Sequence, residues 1–194
     1  MSDYFDTPRE RLFLPFLSPF YGRFAQPVGW LIFRVIIGAL FVVEGWAKIQ
    51  HPMAQVGFVE MIGFAPGWLF SPLLAFVNFF GGLLVVIGFL TRPAAFASAI
   101  VLVITYWFHV THPYGDAFLT QEGVAYLNEH VDLLTQEGQR FLLSDGGAGF
   151  LMGPTGVQLK AEWNSLFWSA GMALIAAFGG GAYSIDRLFM RKEF

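Results

Sequence analysis

Four stretches of the chain are almost unbroken runs of apolar residues, and the polar positions collect between them. The runs extend from about Val28 to Gln50, Trp68 to Leu90, Pro93 to His112 and Trp163 to Phe178. Each approaches the ~20 residues that a helix needs to cross hydrocarbon. Helix is the expected form, because an isolated strand leaves its backbone unpaired in lipid. The fourth run is short, and Gly179-Gly180-Gly181 ends it. Between the first two runs, a short amphipathic helix is expected around Met53 to Ile62, with Phe58, Met61 and Ile62 toward the membrane.

The long segment between the third and fourth runs has a different rhythm. Val124, Leu127, Val131, Leu134 and Phe141 recur at helical spacing, which predicts one amphipathic helix from about Thr120 to Leu143. Leu119-Thr120-Gln121-Glu122-Gly123 is echoed at Leu134-Thr135-Gln136-Glu137-Gly138. That offset is close to four helical turns, and a single pair of copies does not make a repeat protein. Gly146, Gly147, Gly149, Gly153, Pro154 and Gly156 then predict a turn-rich return. At the other end of the chain, Pro8, Pro15, Pro19 and Pro27 argue against a continuous helix through residues 1–27. With Phe13, Phe16, Phe20, Tyr21 and Phe24, that segment reads as an arm lying at the membrane interface, with docking onto a partner as the alternative. No cleavable signal peptide is expected, since Pro15 and Pro19 break the only early apolar stretch.

The predicted fold is therefore all-α. It is a polytopic membrane four-helix bundle with an extra amphipathic periplasmic helix. Its parts are an N-terminal arm (1–27), spans one to three (28–112), an outer insert (113–162) and the fourth span with a tail (163–194). Composition strengthens this. Of 194 residues, 56% are hydrophobic and only 13% charged, against roughly 25% charged in a soluble domain. A soluble enzyme domain and a disordered chain are excluded. A nucleic-acid binder is excluded too, since it needs a basic surface and the net charge is -3. The absence of cysteine removes thiol redox motifs, cysteine-based zinc sites and covalent heme attachment.

Lysine and arginine set the orientation. Arg9, Arg11, Arg23, Arg92, Arg187, Arg191 and Lys192 fall on one side, and Lys48, Arg140 and Lys160 on the other. Both termini are expected in the cytoplasm and 113–162 in the periplasm of a bacterial inner membrane. Trp30, Trp46, Trp68, Trp107, Trp163 and Trp168 stand where interface anchors belong.

Charges inside spans are costly and need a partner or a task. Glu44 and Lys48 can pair across one turn, with a proton or quinone role for Glu44 as the alternative. Arg34 lies at the depth of the segment after the fourth run, which predicts an Arg34–Asp186 ion pair tying the ends of the bundle together. His51, His109, His112 and His130 all fall on the outer side. They could serve structural roles, bind a quinone head group or hold a metal. The apolar stripe of the outer helix must cover something: its own bundle, lipid, or a partner subunit.

Three stretches resemble the DoxX/DoxD-like family of small four-helix bacterial membrane proteins. Arg34 through Lys48 is similar to the family's R-x-x-x-x-x-L-F-x-x-x-G-x-x-K. Gly81 through Arg92 is similar to its glycine pair followed by a G-x-x-T-R turn, and Gly179 through Leu188 to its closing G-x-G-x-Y-S-x-D. The resemblance implies a four-helix bundle. It does not imply one activity, since members resemble subunits of thiosulfate:quinone oxidoreductase or scaffolds for redox and detoxifying enzymes. Asn78, Phe79 and Phe80 stand where the family often has a glutamate before the glycine pair, and the outer insert is longer than in short members. Together these point to an accessory or scaffolding subunit of a respiratory or photosynthetic complex. A quinone-interacting oxidoreductase subunit is the alternative. Membrane lipid and other membrane-complex subunits are the expected partners, and quinone or lipid the candidate ligands.

Overall fold

Apolar helices dominate the structure, a computed structural model that describes residues 12–112, 119–147 and 155–191. Among the described residues there is helix and turn but no strand. In chain order the helices are α1 (Pro15–Gln50), α2 (Val56–Met61), α3 (Gly67–Ile87) and α4 (Thr91–Thr111). Then come α5 (Gln121–Glu129), α6 (Gln136–Asp145), α7 (Thr155–Phe178) and α8 (Ile185–Leu188). Arg9 and Arg11, part of the glycine-rich return with Gly149, Gly153 and Pro154, and Lys192 lie outside the described residues.

Helices α1, α3 and α4 are long and apolar enough to cross a membrane. Helix α7 has 24 residues and begins well before the expected start at Trp163. Lys160, Glu162 and Asn164 occupy its first half, which shortens its purely apolar stretch.

The arm differs from expectation. Residues from Pro15 onward run without a break into the first span, as one helical stretch of 36 residues. Pro15 opens this stretch, where the missing N–H is tolerated, while Pro19 and Pro27 lie within it, on either side of the π turn. A π turn at Tyr21–Ala25 joins two of these segments.

The described chain separates into two units: Met1–Val103 with Phe167–Phe194, and Ile104–Leu166. The first is built around Phe41, Val85, Ala95, Ala99, Leu102, Met172 and Ile175, with Trp30, Phe33, Ile37 and Trp168 packed on that core. Helices α1 and α3 touch backbone to backbone. A Cβ on Gly45 would stand 2.5 Å from Phe79 N, and one on Gly82 2.8 Å from Val42 N. Close approach of this kind is what drives association where lipid removes the hydrophobic contrast. Ile32, Ile36, Leu40 and Val43 form the opposite, exposed side of α1.

Short polar bonds fix the link between α1 and α3. Buried Ser71 donates to Pro52 O and accepts from Gln55 N at 3.2 Å. The Glu60 carboxylate accepts from Gly67 N at 2.8 Å, occupying an amide that the first turn of α3 leaves without an intrahelical partner. In α2 the buried side chain is Val59, while Met61 stays exposed.

The second unit corrects the expected single outer helix. Helix α5 stops at Glu129, a short 3-10 turn covers Val131–Leu133, and α6 starts afresh at Gln136. The five-residue echo is the cause. Thr120 caps α5 by accepting from Gly123 N at 3.1 Å, and Thr135 caps α6 by accepting from Gly138 N at 3.2 Å. A Cβ on Gly123 would come within 3.4 Å of Leu119, and one on Gly138 within 3.4 Å of Leu134. Each copy thus builds the same helix start, a threonine N-cap with a leucine folded across it. Among the described residues of this unit, Val124 and Leu142 are the buried hydrophobic ones, and both stand against Gly147.

Candidate functional site

The three family-like stretches meet at one end of the first unit. Helix α3 ends at Gly88, whose φ of 74° is the left-handed conformation glycine adopts without strain. A side chain there would collide with Arg34 and Ser184. The turn through Leu90 then exposes two amides, and the closing segment supplies their acceptor. Asp186 takes Leu90 N at 2.8 Å on Oδ1, and Thr91 N at 2.9 Å and Thr91 Oγ1 at 2.7 Å on Oδ2. Its own amide donates to Gly88 O at 2.9 Å. Arg34 reaches across with Nη1 donating to Val85 O and Nη2 to Tyr183 O, both at 3.0 Å. Trp30 Nε1 donates to Gly179 O, also at 3.0 Å. Ser184 caps α8, accepting from Arg187 N at 3.3 Å and donating to Gly181 O at 2.9 Å.

Arg34, Thr91, Ser184 and Asp186 are all essentially inaccessible. The expected direct Arg34–Asp186 ion pair takes a different form here. The guanidinium spends its hydrogen bonds on two carbonyls and the carboxylate on two amides and a hydroxyl, so the charges are joined through the backbone turn between them. Arg34 Nε is buried without a hydrogen bond. Chemically the arrangement is a fastener: all three bonds that the buried carboxylate accepts go to the turn after α3. The residues missed in the sequence were Trp30, Thr91 and Ser184. The last two sit inside the family-like stretches, beside the charges that drew notice.

At the far end of α1, Lys48 Nζ lies 3.9 Å from Glu44 Oε2, with Glu44 half exposed. His51 follows as the C-cap of α1. In the second unit, His112 stacks on Phe108 at 4.8 Å between ring centres, with Trp107 at 6.0 Å and Thr111 Oγ1 2.9 Å from its Nδ1. His109 lies edge-on to Phe108. His130 stacks on Tyr126 at 4.1 Å and its Nδ1 is 3.0 Å from Tyr126 O. Among the described residues no group of three or more His, Asp or Glu side chains is placed to hold a metal. The metal reading of the histidines is left without a ligand set there.

Of the apolar stripe, Val124 is buried within its own unit, Leu127 and Leu134 are half-buried, and Val131 and Phe141 are exposed. Leu133 and Leu143, which lie off the stripe, are more exposed still. Splitting the helix rotated the two halves independently, so the outward face differs from the one a single helix would present.

Apolar spanning helices fastened at one end by a buried polar knot define an all-α integral membrane protein. Residues 29–111 match the model of the DoxX family, a region that takes in α1 from Gly29 onward together with α2, α3 and α4. The closing stretch Gly179–Leu188 lies beyond the matched residues. The chain is also similar to "Inner membrane protein YqjF" of Escherichia coli (strain K12), with 29% identity over 167 residues, covering 86% of this chain and 96% of that protein. No solved structure matches. The spanning helices and the inner-membrane relative together support a bacterial inner-membrane location.

Proposed function

We propose that the protein is an accessory or scaffolding subunit of a larger bacterial electron-transfer complex, respiratory or photosynthetic, with both termini cytoplasmic and residues 113–162 periplasmic. The observation that carries this reading is the use made of the family-like charges: Arg34 and Asp186 are spent on backbone groups. A bundle whose motif residues are fasteners is suited to holding other components in place. The outer unit supplies the docking side, through exposed Leu133, Phe141 and Leu143 rather than through Val124. The test is Leu133→Glu combined with Leu143→Glu, followed by mass spectrometry of what co-purifies from native membranes in mild detergent. Larger redox subunits should accompany the wild type and be lost from the variant. A wild-type chain that arrives alone, or a variant that keeps its companions, overturns the proposal.

A second reading, a quinone-interacting subunit, is supported by one feature. His112 stacks on Phe108 beside Trp107 with His109 nearby, a flat aromatic setting with imidazole donors that suits a quinone head group. Under this reading His112→Ala and His109→Ala lower quinone reduction in membranes. Unchanged turnover and unchanged quinone affinity in both variants refute it.

A further inference from the structure

The first helix is much longer than the membrane it crosses. Helices α3 and α4 have 21 residues each, roughly 31 Å at 1.5 Å per residue, which matches a hydrocarbon core of about 30 Å. Helix α1 passes the ends of its neighbours at Trp30 and Arg34, where it bonds to Gly179 O and Val85 O. From Arg34 back to Pro15 it rises about a further 28 Å. A straight course would carry this extension through the head groups into water. Yet it holds Phe16, Phe20 and Phe24, exposed at 73%, 50% and 57%, and Phe13, fully exposed, stands just before its first turn.

Phe16, Phe20 and Phe24 follow at four-residue spacing and make one ridge, with Phe13 just before it, and Phe20 and Phe24 touch at 5.7 Å between ring centres. The far side holds Ser18, Gly22 and Gln26. At 3.6 residues per turn the ridge would continue to Leu31 and buried Arg34. The π turn at Tyr21–Ala25 takes up about one extra residue. It thereby brings the ridge into line with Ile32, Ile36 and Val43, on the exposed face of the span. Between Leu12 and Val43 the only charged residues are Arg23 and Arg34, so the extension carries one exposed positive charge and no negative one.

We propose that residues 13–24 bind the surface of the same bilayer, with the phenylalanine ridge in the boundary between acyl chains and head groups and Arg23 reaching lipid phosphate. A helix leaving the membrane and folding toward its lipid-facing side lays that side on the bilayer, which is why the continuous ridge matters. The π turn, with Gly22 and Pro27 beside it, is where such a fold is accommodated. An apolar face with a cationic flank is what an interfacial helix needs. The proposal is independent of whether the protein serves in a larger complex.

Because the chain has no cysteine, single labels can be placed cleanly. Phe16→Cys, Phe20→Cys, Phe24→Cys and Gly22→Cys are made in the full chain, spin-labelled and reconstituted in phosphatidylcholine–phosphatidylglycerol vesicles, with Val43→Cys as the lipid reference. A label at Gly22 meets open space, since nothing lies within 4 Å of its Cβ position. The ridge labels should be severalfold more accessible to oxygen than to a water-soluble nickel chelate, like Val43, and the Gly22 label should show the reverse. Ridge labels open to nickel overturn the proposal in favour of a helix standing in water. Ridge labels shielded from both reagents overturn it in favour of cover by protein, a second copy or a partner. Phe13→Cys replaces any ridge variant that fails to reconstitute.

Discussion

Replacing Asp186 with alanine tests the polar knot most directly. The carboxylate is 1% exposed and holds Leu90 N, Thr91 N and Thr91 Oγ1 at 2.7–2.9 Å. Its removal leaves two buried amides and a hydroxyl without acceptor and strips Arg34 of the negative charge nearby. Taking one member from a buried charged arrangement costs about 3–5 kcal/mol. For a chain of this size that is a fall of roughly 6–20 °C in Tm, at about 2–4 °C per kcal/mol. The measurement is thermal unfolding of the purified protein in mild detergent, followed by circular dichroism and by loss of the monodisperse peak. Asp186→Asn should fall between wild type and Asp186→Ala, because it keeps one carbonyl acceptor but turns an amide toward donors. Combining Asp186→Ala with Arg34→Met gives a coupling energy, expected at about 0.5–3 kcal/mol for groups sharing one network. An Asp186→Ala protein that melts within a degree or two of wild type would refute the fastener argument.

Two further outcomes follow from the helix contacts. Thr120→Ala and Thr135→Ala should each cost about 1 kcal/mol through loss of an N-cap, read as faster amide exchange confined to α5 or to α6 respectively; exchange that rises in both helices from one substitution would contradict two separate starts. Gly45→Ala should destabilise more than Gly38→Ala, because at Gly45 the new methyl meets the backbone of Phe79 at 2.5 Å whereas at Gly38 it first meets the tip of Val86 at 2.8 Å; equal Tm values would refute that ranking.

The spans were legible because length and apolarity alone decide what crosses a bilayer, and α3 and α4 lie within a few residues of where the runs placed them. The split of the outer helix was not legible from periodicity. An offset near four turns keeps the apolar stripe in phase whether the chain continues or restarts, so Val124 through Phe141 fits both. The distinguishing signal was the threonine three residues before a glycine, present twice, which marks a helix start. Prolines misled in the arm because their effect depends on local geometry: Pro15 opens the helix, where its missing N–H has no partner to lose, and Pro19 and Pro27 flank a π turn at which the ladder shifts. The depth of Arg34 pointed to Asp186, but the atoms that join them are backbone carbonyls and amides, which no side-chain pattern displays. Thr91 and Ser184 are small, common residues whose role appears only once the turn at Gly88 closes around them.

The knot has a consequence for how the protein is made. The amides of Leu90 and Thr91 find their acceptor about 95 residues further along the chain, and Arg34 and Trp30 wait still longer, 149 residues, for Tyr183 and Gly179. While the ribosome is delivering the outer insert, the early helices are in the membrane with these groups unsatisfied. The last segment to emerge is therefore the one that completes the first. A chain that terminates before Asp186 leaves the Leu90 and Thr91 amides and the Thr91 hydroxyl without this acceptor, so the turn after α3 stays open.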